Sequence, residues 1–333
     1  MNGLAMKIVA PVCSVADAES VITAGADELY VGAMFDEWTC TFGDSDLLTR
    51  RQGRSAHIRT SRELASVVNI ASQAGRPIAL AINARYDAVQ IRAVLDLVTL
   101  WEETGGAAVI VADIGLLLAL AQRNSHMNRH LSLLAGAFNS LSVTFFAELG
   151  VSRVILPRDL TLGEVADLTA GSGNMEFEMV AMYQKCHFID GMCGFHHATR
   201  LPSGVSAEFD YVAGPGTALP VVWAQDPEYE GHGCELPWRS LAGPVRWPRR
   251  DDLSSPNCAA CQLPAMARSG IRYVKLAGRA YSSDMIVRAI RFLRSAMEAW
   301  QTGDDSSAQE DVRRLYSSTF GSACSCRDCY YNQ

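Results

Sequence analysis

The chain repeats one pattern from its first residues: a short apolar run, a polar or Gly/Pro break, then a segment with helical periodicity. KIVAPV, ELYVGA, PIALAIN, AAVIVAD, HLSLLAG, RVILPR and EFEMVAM each read as a buried strand, short and continuously apolar. Between them VADAESVITAGA, SRELASVVNIASQAG and IRAVLDLVTLWEETGG place apolar residues three and four apart, with glycine at or near their ends. Strands spaced about 25 to 30 residues apart by intervening helices fit successive βαβ units in a parallel sheet or barrel. The expected fold is an α/β, TIM-barrel-like (β/α) domain carrying an inserted irregular subdomain. In a barrel, functional groups gather at the C-terminal ends of the strands. Asn83, Asp113, Asn139, Arg158 and Cys186 all fall there.

The rhythm breaks from Leu201 to Ser255, where Pro, Gly, Trp and charged residues mix without period. It returns with QLPAMARSG, the strand RYVKLAG and the helix SSDMIVRAIRFLRSAMEAW. Residues 1–200 and 256–300 are therefore assigned to the barrel, 201–255 to the insertion, and 301–333 to a polar, Cys-rich tail expected to be partly mobile. A length of 333 residues allows a core of this size.

Charge narrows the partners. The net charge is −7 and no Lys/Arg block stands out, which disfavours an electrostatic grip on nucleic acid and favours a small-molecule or carrier-bound substrate. No N-terminal stretch has the pattern of a secretory signal, and the longest apolar run, near Val109–Ala121, is interrupted by Asp113 and too short to span a bilayer. A cytoplasmic location is expected.

Ten cysteines are the unusual part of the composition. Cys13 and Cys40 stand apart, and Cys13 reads as a small buried hydrophobe. The others cluster late: Cys186 and Cys193 with six residues between them in KCHFIDGMC, Cys234 in GHGC, Cys258 and Cys261 in NCAAC, and Cys324, Cys326 and Cys329 in CSCRDC. In a cytosolic chain such clusters suggest metal ligation more than disulfides. Thiolates from separate loops suit an iron–sulfur cluster and equally suit tetrahedral zinc, and spacing does not choose between them.

Beyond these patterns, the chain resembles the family of U32 peptidases, which includes oxygen-independent hydroxylases of ubiquinone synthesis and related RNA hydroxylation proteins. The resemblance is carried by IVAPV, AGADELYVG, AVIVADIG, HLSLLAGAFN, RVILPRDLTLGEV, the signature VAMYQKCHFIDGMC with HGC, and the closing SGIRYVKLAGR. It implies a [4Fe–4S] cluster held by Cys186, Cys193, Cys234 and Cys258, with Cys261 beside the register. It also implies prephenate, a dicarboxylate, as oxygen donor, and a related U32-family chain as a heterodimer partner. The chain departs from the family pattern at Ala277, where a glutamate is usual, at Leu133 and Leu134, at His196 and His197, and in its tail cysteines.

Arg158, Lys275 and Arg279 are the candidate groups for clamping a carboxylate donor, since guanidinium groups do so in bidentate fashion. An ordinary ion pair of Arg158 with Asp159 or Glu164 is the competing reading. His187 is the candidate proton donor. For it, His196, His197 and Asp190, a hydrogen bond near the cluster or a surface role competes. Cys261, Cys324, Cys326 and Cys329 are a candidate second metal site. The expected activity is an iron–sulfur-dependent, oxygen-independent hydroxylase. Its competitors are a noncatalytic iron–sulfur subunit, a zinc-stabilised scaffold and a U32-type peptidase, although no HExxH or GxSxG motif supports proteolysis.

Overall fold

A computed structural model describes residues 6–43, 47–51, 54–123, 125–183, 189–192, 208–212, 218–222, 238–240, 243–245, 256–279, 281–325 and 329–331. Strands β1 (Lys7–Pro11), β2 (Glu28–Gly32), β3 (Ile78–Ile82), β4 (Ala108–Val111), β5 (Asn128–Leu131), β6 (Val151–Ile155) and β7 (Glu176–Met182) pair in sequence order, all parallel. The circle closes through a late strand, Tyr273–Leu276, which pairs with both β7 and β1. Eight parallel strands in a closed barrel make this a TIM-barrel fold.

The intervening helices are α1 (Val15–Thr23), α2 (Asp36–Phe42), α3 (Ser61–Gln73), α4 (Ala88–Thr104), α5 (Ile114–Gln122), α6 (Ser140–Glu148) and α7 (Leu162–Ala170). Their starts are written locally. Thr60, Asp87 and Thr161 each form a capping box with the Glu or Gln three residues on. Between β7 and the closing strand lie β8 (Glu208–Val212) with β9 (Ala218–Val222), and β10 (Trp238–Ser240) with β11 (Gly243–Val245), two antiparallel pairs. The chain divides into a barrel unit, residues 1–192 and 250–333, and a small unit, 193–249. After α8 (Leu263–Arg268), the closing strand is β12, followed by α9 (Ser283–Thr302) and α10 (Asp305–Phe320).

Strand alternation sorts the core. Leu29, Val31, Leu80, Ile82, Val109 and Val111 join the large cluster between barrel and helices, while Val9, Tyr30, Ala79, Ala81, Ala108, Ile110, Ile155 and Tyr273 form a separate cluster. Three alanines in that second set leave room for long polar side chains among them.

Two expectations are corrected. The run HLSLLAG is not one strand: β5 ends at Leu131, because the Ser132 hydroxyl accepts from the Leu134 amide and turns Leu133–Ala135 into a 3₁₀ turn. The stretch expected to be partly mobile after residue 300 contains α10, whose Ala308, Val312 and Tyr316 recur every four residues and are buried. Beyond it, Tyr330 and Tyr331 are also buried. Among the described residues, no helix is long and apolar enough to cross a membrane.

Candidate functional site

At the C-terminal ends of β1, β2 and β12 one buried guanidinium organises the barrel mouth. Arg279 is 6% exposed, and its Nη2 donates to Thr49 Oγ1 at 2.6 Å. Its Nη1 is buried without a hydrogen-bond partner, and among the described residues no carboxylate pairs with it. Space for the group comes from Gly32: a Cβ there would lie 1.3 Å from Nη1. The same point is 3.2 Å from His57 Nδ1, so the histidine and the guanidinium border one spot.

His57 Nε2 lies 2.9 Å from the Arg51 carbonyl, which can only accept, so Nε2 carries the proton and Nδ1 presents a bare lone pair. That lone pair is buried and unpartnered. Burial, reinforced by the neighbouring Arg279, pushes the imidazole down to about 3, so it is neutral at pH 7. Cys13 donates its thiol hydrogen to the Arg279 carbonyl. Burial raises that thiol to about 11 against the pull of Arg279, which makes it a structural donor and a poor nucleophile. Burial also lowers Arg279, while Tyr30 and Cys13 oppose the shift. Asn83 sits at the end of β3, accepting from the Arg50 amide and donating to Ser132 Oγ.

Below this spot the barrel interior is ionic. Lys275 Nζ is 2.7 Å from Glu178 Oε1 and 4.0 Å from the centre of the Tyr30 ring. Arg153 contacts Glu28 at 2.6 Å, Glu176 at 3.1 Å and Glu178 at 3.3 Å. Burial pushes Glu178 up, but Lys275 and Arg153 outweigh it and hold the carboxylate ionised. Burial lowers Lys275, with Glu178 opposing. His130, on β5, is pushed down to about 3 by burial and then by Arg153.

The sequence-predicted residues separate accordingly. Arg279 stands at the mouth with an unused donor. Lys275 is one layer down and already paired. Arg158 grips neither Asp159 nor Glu164: its Nε and Nη2 clamp Asp190 at 2.9 and 2.6 Å, and its amide donates to the same carboxylate. Glu164 instead caps α7. Asp190 is held in place by Gly191, whose φ of +81° and approach to the Leu134 carbonyl suit glycine alone. Asp113 and Asn139 prove to be the N-caps of α5 and α6. Cys186, His187, Cys193, His196, His197, Cys234 and Cys326 lie outside the described residues.

Cys258, by contrast, lies in a bridge with Cys329 and lines a cavity with Cys261, Cys324 and Cys329. Sequence reasoning missed His57, Thr49 and Gly32. The first two sit in an aperiodic segment, and Gly32 ends an ordinary-looking strand.

A closed barrel of eight parallel strands, with a buried arginine at its mouth, defines the class: a TIM-barrel protein. Within that class, the model of peptidase family U32 matches residues 13–211, and the chain belongs to that family. Among curated proteins it is similar to tRNA hydroxylation protein P of Escherichia coli, 34% identical over 91 residues, which cover 27% of this chain and 20% of that protein. It is also similar to tRNA hydroxylation protein P of Helicobacter pylori, 22% identical over 188 residues, 56% of this chain and 42% of that protein. The matches thus span less than half the length of these relatives. Among solved structures, a U32 peptidase superposes with a TM-score of 0.41 at 16% identity, covering 53% of this chain and 69% of that one.

Proposed function

We propose that the chain is a hydroxylase-type barrel that binds an anionic oxygen donor at Arg279. The observation that carries the reading is the buried Arg279 Nη1, a charged donor with no anion among the described residues to receive its hydrogen bond. Leaving such a group unmatched is costly, and a ligand carboxylate would complete it. A dicarboxylate of the prephenate kind fits that chemistry.

Oxygen-independent hydroxylation needs R–H and donor–OH to become R–OH and donor–H. Arg279 and Thr49 orient the donor, and neutral His57 offers Nδ1 as the acceptor for its hydroxyl hydrogen. The Glu178–Lys275 pair beneath keeps the floor ionised and rigid. An iron–sulfur cluster, when bound, would supply the electron-transfer chemistry, with Cys186, Cys193 and Cys234 among its thiolates. The relatives' names support hydroxylation and make a tRNA nucleoside the first substrate to test, ahead of the small molecule that the acidic charge balance favours.

The test is anaerobic incubation of the chain with undermodified tRNA and prephenate, followed by nucleoside mass spectrometry. Gain of one oxygen on a nucleoside is expected. Arg279→Ala should raise the apparent KM for the donor at least about tenfold, equivalent to about 1.4 kcal/mol, with iron content unchanged. An unaltered donor KM would remove Arg279 from the site.

A further inference from the structure

Between α9 and α10 runs a groove of about 390 Å³ that the chemistry at the barrel mouth does not use. Its place follows from the helical period. α9 buries Ile286, Ala289, Ile290, Leu293 and Met297, and α10 packs beside it through Val312 and Tyr316. The face of α9 that carries Arg288, Arg291 and Ser295 is left to line the groove. Val287 and Leu315 give it apolar sides, and buried Phe292 lies edge-on to Tyr316 with ring centroids 5.9 Å apart.

Two guanidinium groups three residues apart set its charge. Arg288 and Arg291 are exposed, and among the described residues neither forms an ion pair. Among the described residues lining the groove, Asp284 is the sole acid. Nearby charges do not cancel the pair: Arg294 is held by Asp27 and by the Gly25 carbonyl, while Glu310 and Asp311 on α10 are both engaged by Arg314. A chain whose net charge is −7 thus carries a locally cationic trough.

Shape and position narrow the ligand. Guanidinium groups favour oxyanions, and phosphate above others among biological polymers. From Asp284 to Ser295 the groove follows α9 for about three turns, roughly 16 Å at 1.5 Å per residue, and both arginines stand open to solvent. A small molecule is held by enclosure that buries most of its surface, whereas an open trough of this length suits an extended backbone. Ser295 and Thr319 add hydroxyl groups of the kind that contact phosphate and sugar oxygens. The trough also begins at the mouth. α9 starts four residues after Arg279, and the Tyr183 phenol at the end of β7 donates to the Met285 carbonyl at 2.8 Å, which fixes the first turn of the helix to the strand.

We propose that the α9–α10 groove is a track for the phosphodiester backbone of an RNA substrate, with Arg288 and Arg291 each neutralising one phosphate. The cationic track rests on the groove alone. That the polymer is an RNA whose nucleoside reacts at the mouth rests on the hydroxylase reading above.

The test is binding of a fluorescently labelled tRNA transcript to the full chain, purified anaerobically, with Kd followed across a salt series. Wild-type binding is expected to fall steeply with salt. Arg288→Ala with Arg291→Ala should raise Kd about tenfold or more and make the slope of log K against log salt shallower by about two. Arg288→Lys with Arg291→Lys keeps both charges and should retain most of that slope, which separates phosphate neutralisation from a structural role. A Kd and slope unchanged in the alanine variant overturn the proposal. A wild type that binds no tRNA overturns it as well, and leaves the hydroxylase reading to be judged on a small-molecule substrate. tRNA that binds through the two arginines yet gains no oxygen sinks the hydroxylase reading and leaves the track in place.

Discussion

At the scale of single residues, the barrel mouth is a matter of space and proton count. Gly32 is required because Arg279 occupies the volume its side chain would take. Gly32→Ala should therefore displace the guanidinium and cost about 1–3 kcal/mol as overpacking. In an Arg279→Ala background most of that cost should vanish, and a urea-unfolding double-mutant cycle would show the coupling. His57 and His130 are neutral when folded, each held at about 3, below an ordinary value near 6.5. The unfolded chain binds protons that the folded one refuses, so the two histidines' contribution to stability is constant above about pH 7 and falls as pH drops below 6.5 toward 3. Each histidine contributes a slope of about 1.4 kcal/mol per pH unit in that window. Urea unfolding from pH 7.5 to 4.5 would measure it, and His130→Gln should shallow the slope by one histidine's share. The buried Lys275–Glu178 pair sets a third expectation: Lys275→Met leaves Glu178 with less compensation and should cost about 3–5 kcal/mol in the same assay.

At the scale of elements, the segment after α10 behaves as part of the barrel wall. Tyr330 Oη donates to the Tyr183 carbonyl and Tyr331 Oη to the Val180 carbonyl at 3.0 Å, so two consecutive tyrosines cap the end of β7. Tyr330→Ala should destabilise the protein by about 3–5 kcal/mol, read as a lowered thermal midpoint, in contrast to a substitution in a loose tail. Most elements were legible in the sequence because burial enforces period: β1 to β4, β7 and α9 follow their apolar patterns directly. The failures have specific causes. In HLSLLAG the apolar run crosses a hydroxyl-capped turn, which pattern cannot see. In α10 a single apolar stripe of Ala308, Val312 and Tyr316 is diluted by serines and charges. The mouth was legible only where a motif marked it, as at Arg279. His57 and Thr49 come from an irregular stretch whose meaning lies in what it packs against, and Arg158 was visible as a charge but not in its attachment to Asp190.

At the scale of the whole molecule, chain and barrel are ordered differently. β7 and β12 are neighbours in the barrel, yet the entire 193–249 unit is threaded between them in sequence. The barrel segments on either side of that region meet at β7, where the Tyr183 amide donates to the Asn257 carbonyl at 2.9 Å. Replacing residues 193–249 with a short Gly/Ser linker should therefore leave a cooperatively folding barrel with an unchanged far-ultraviolet helical signal. The closing register, Lys7 opposite Tyr273, joins positions from the two ends of the domain. On a ribosome, β1 to β7 emerge as an incomplete cylinder with two unsatisfied edges, and no pairing can seal it until β12 has been synthesised. Until then both edges expose unpaired backbone groups that another strand could pair with.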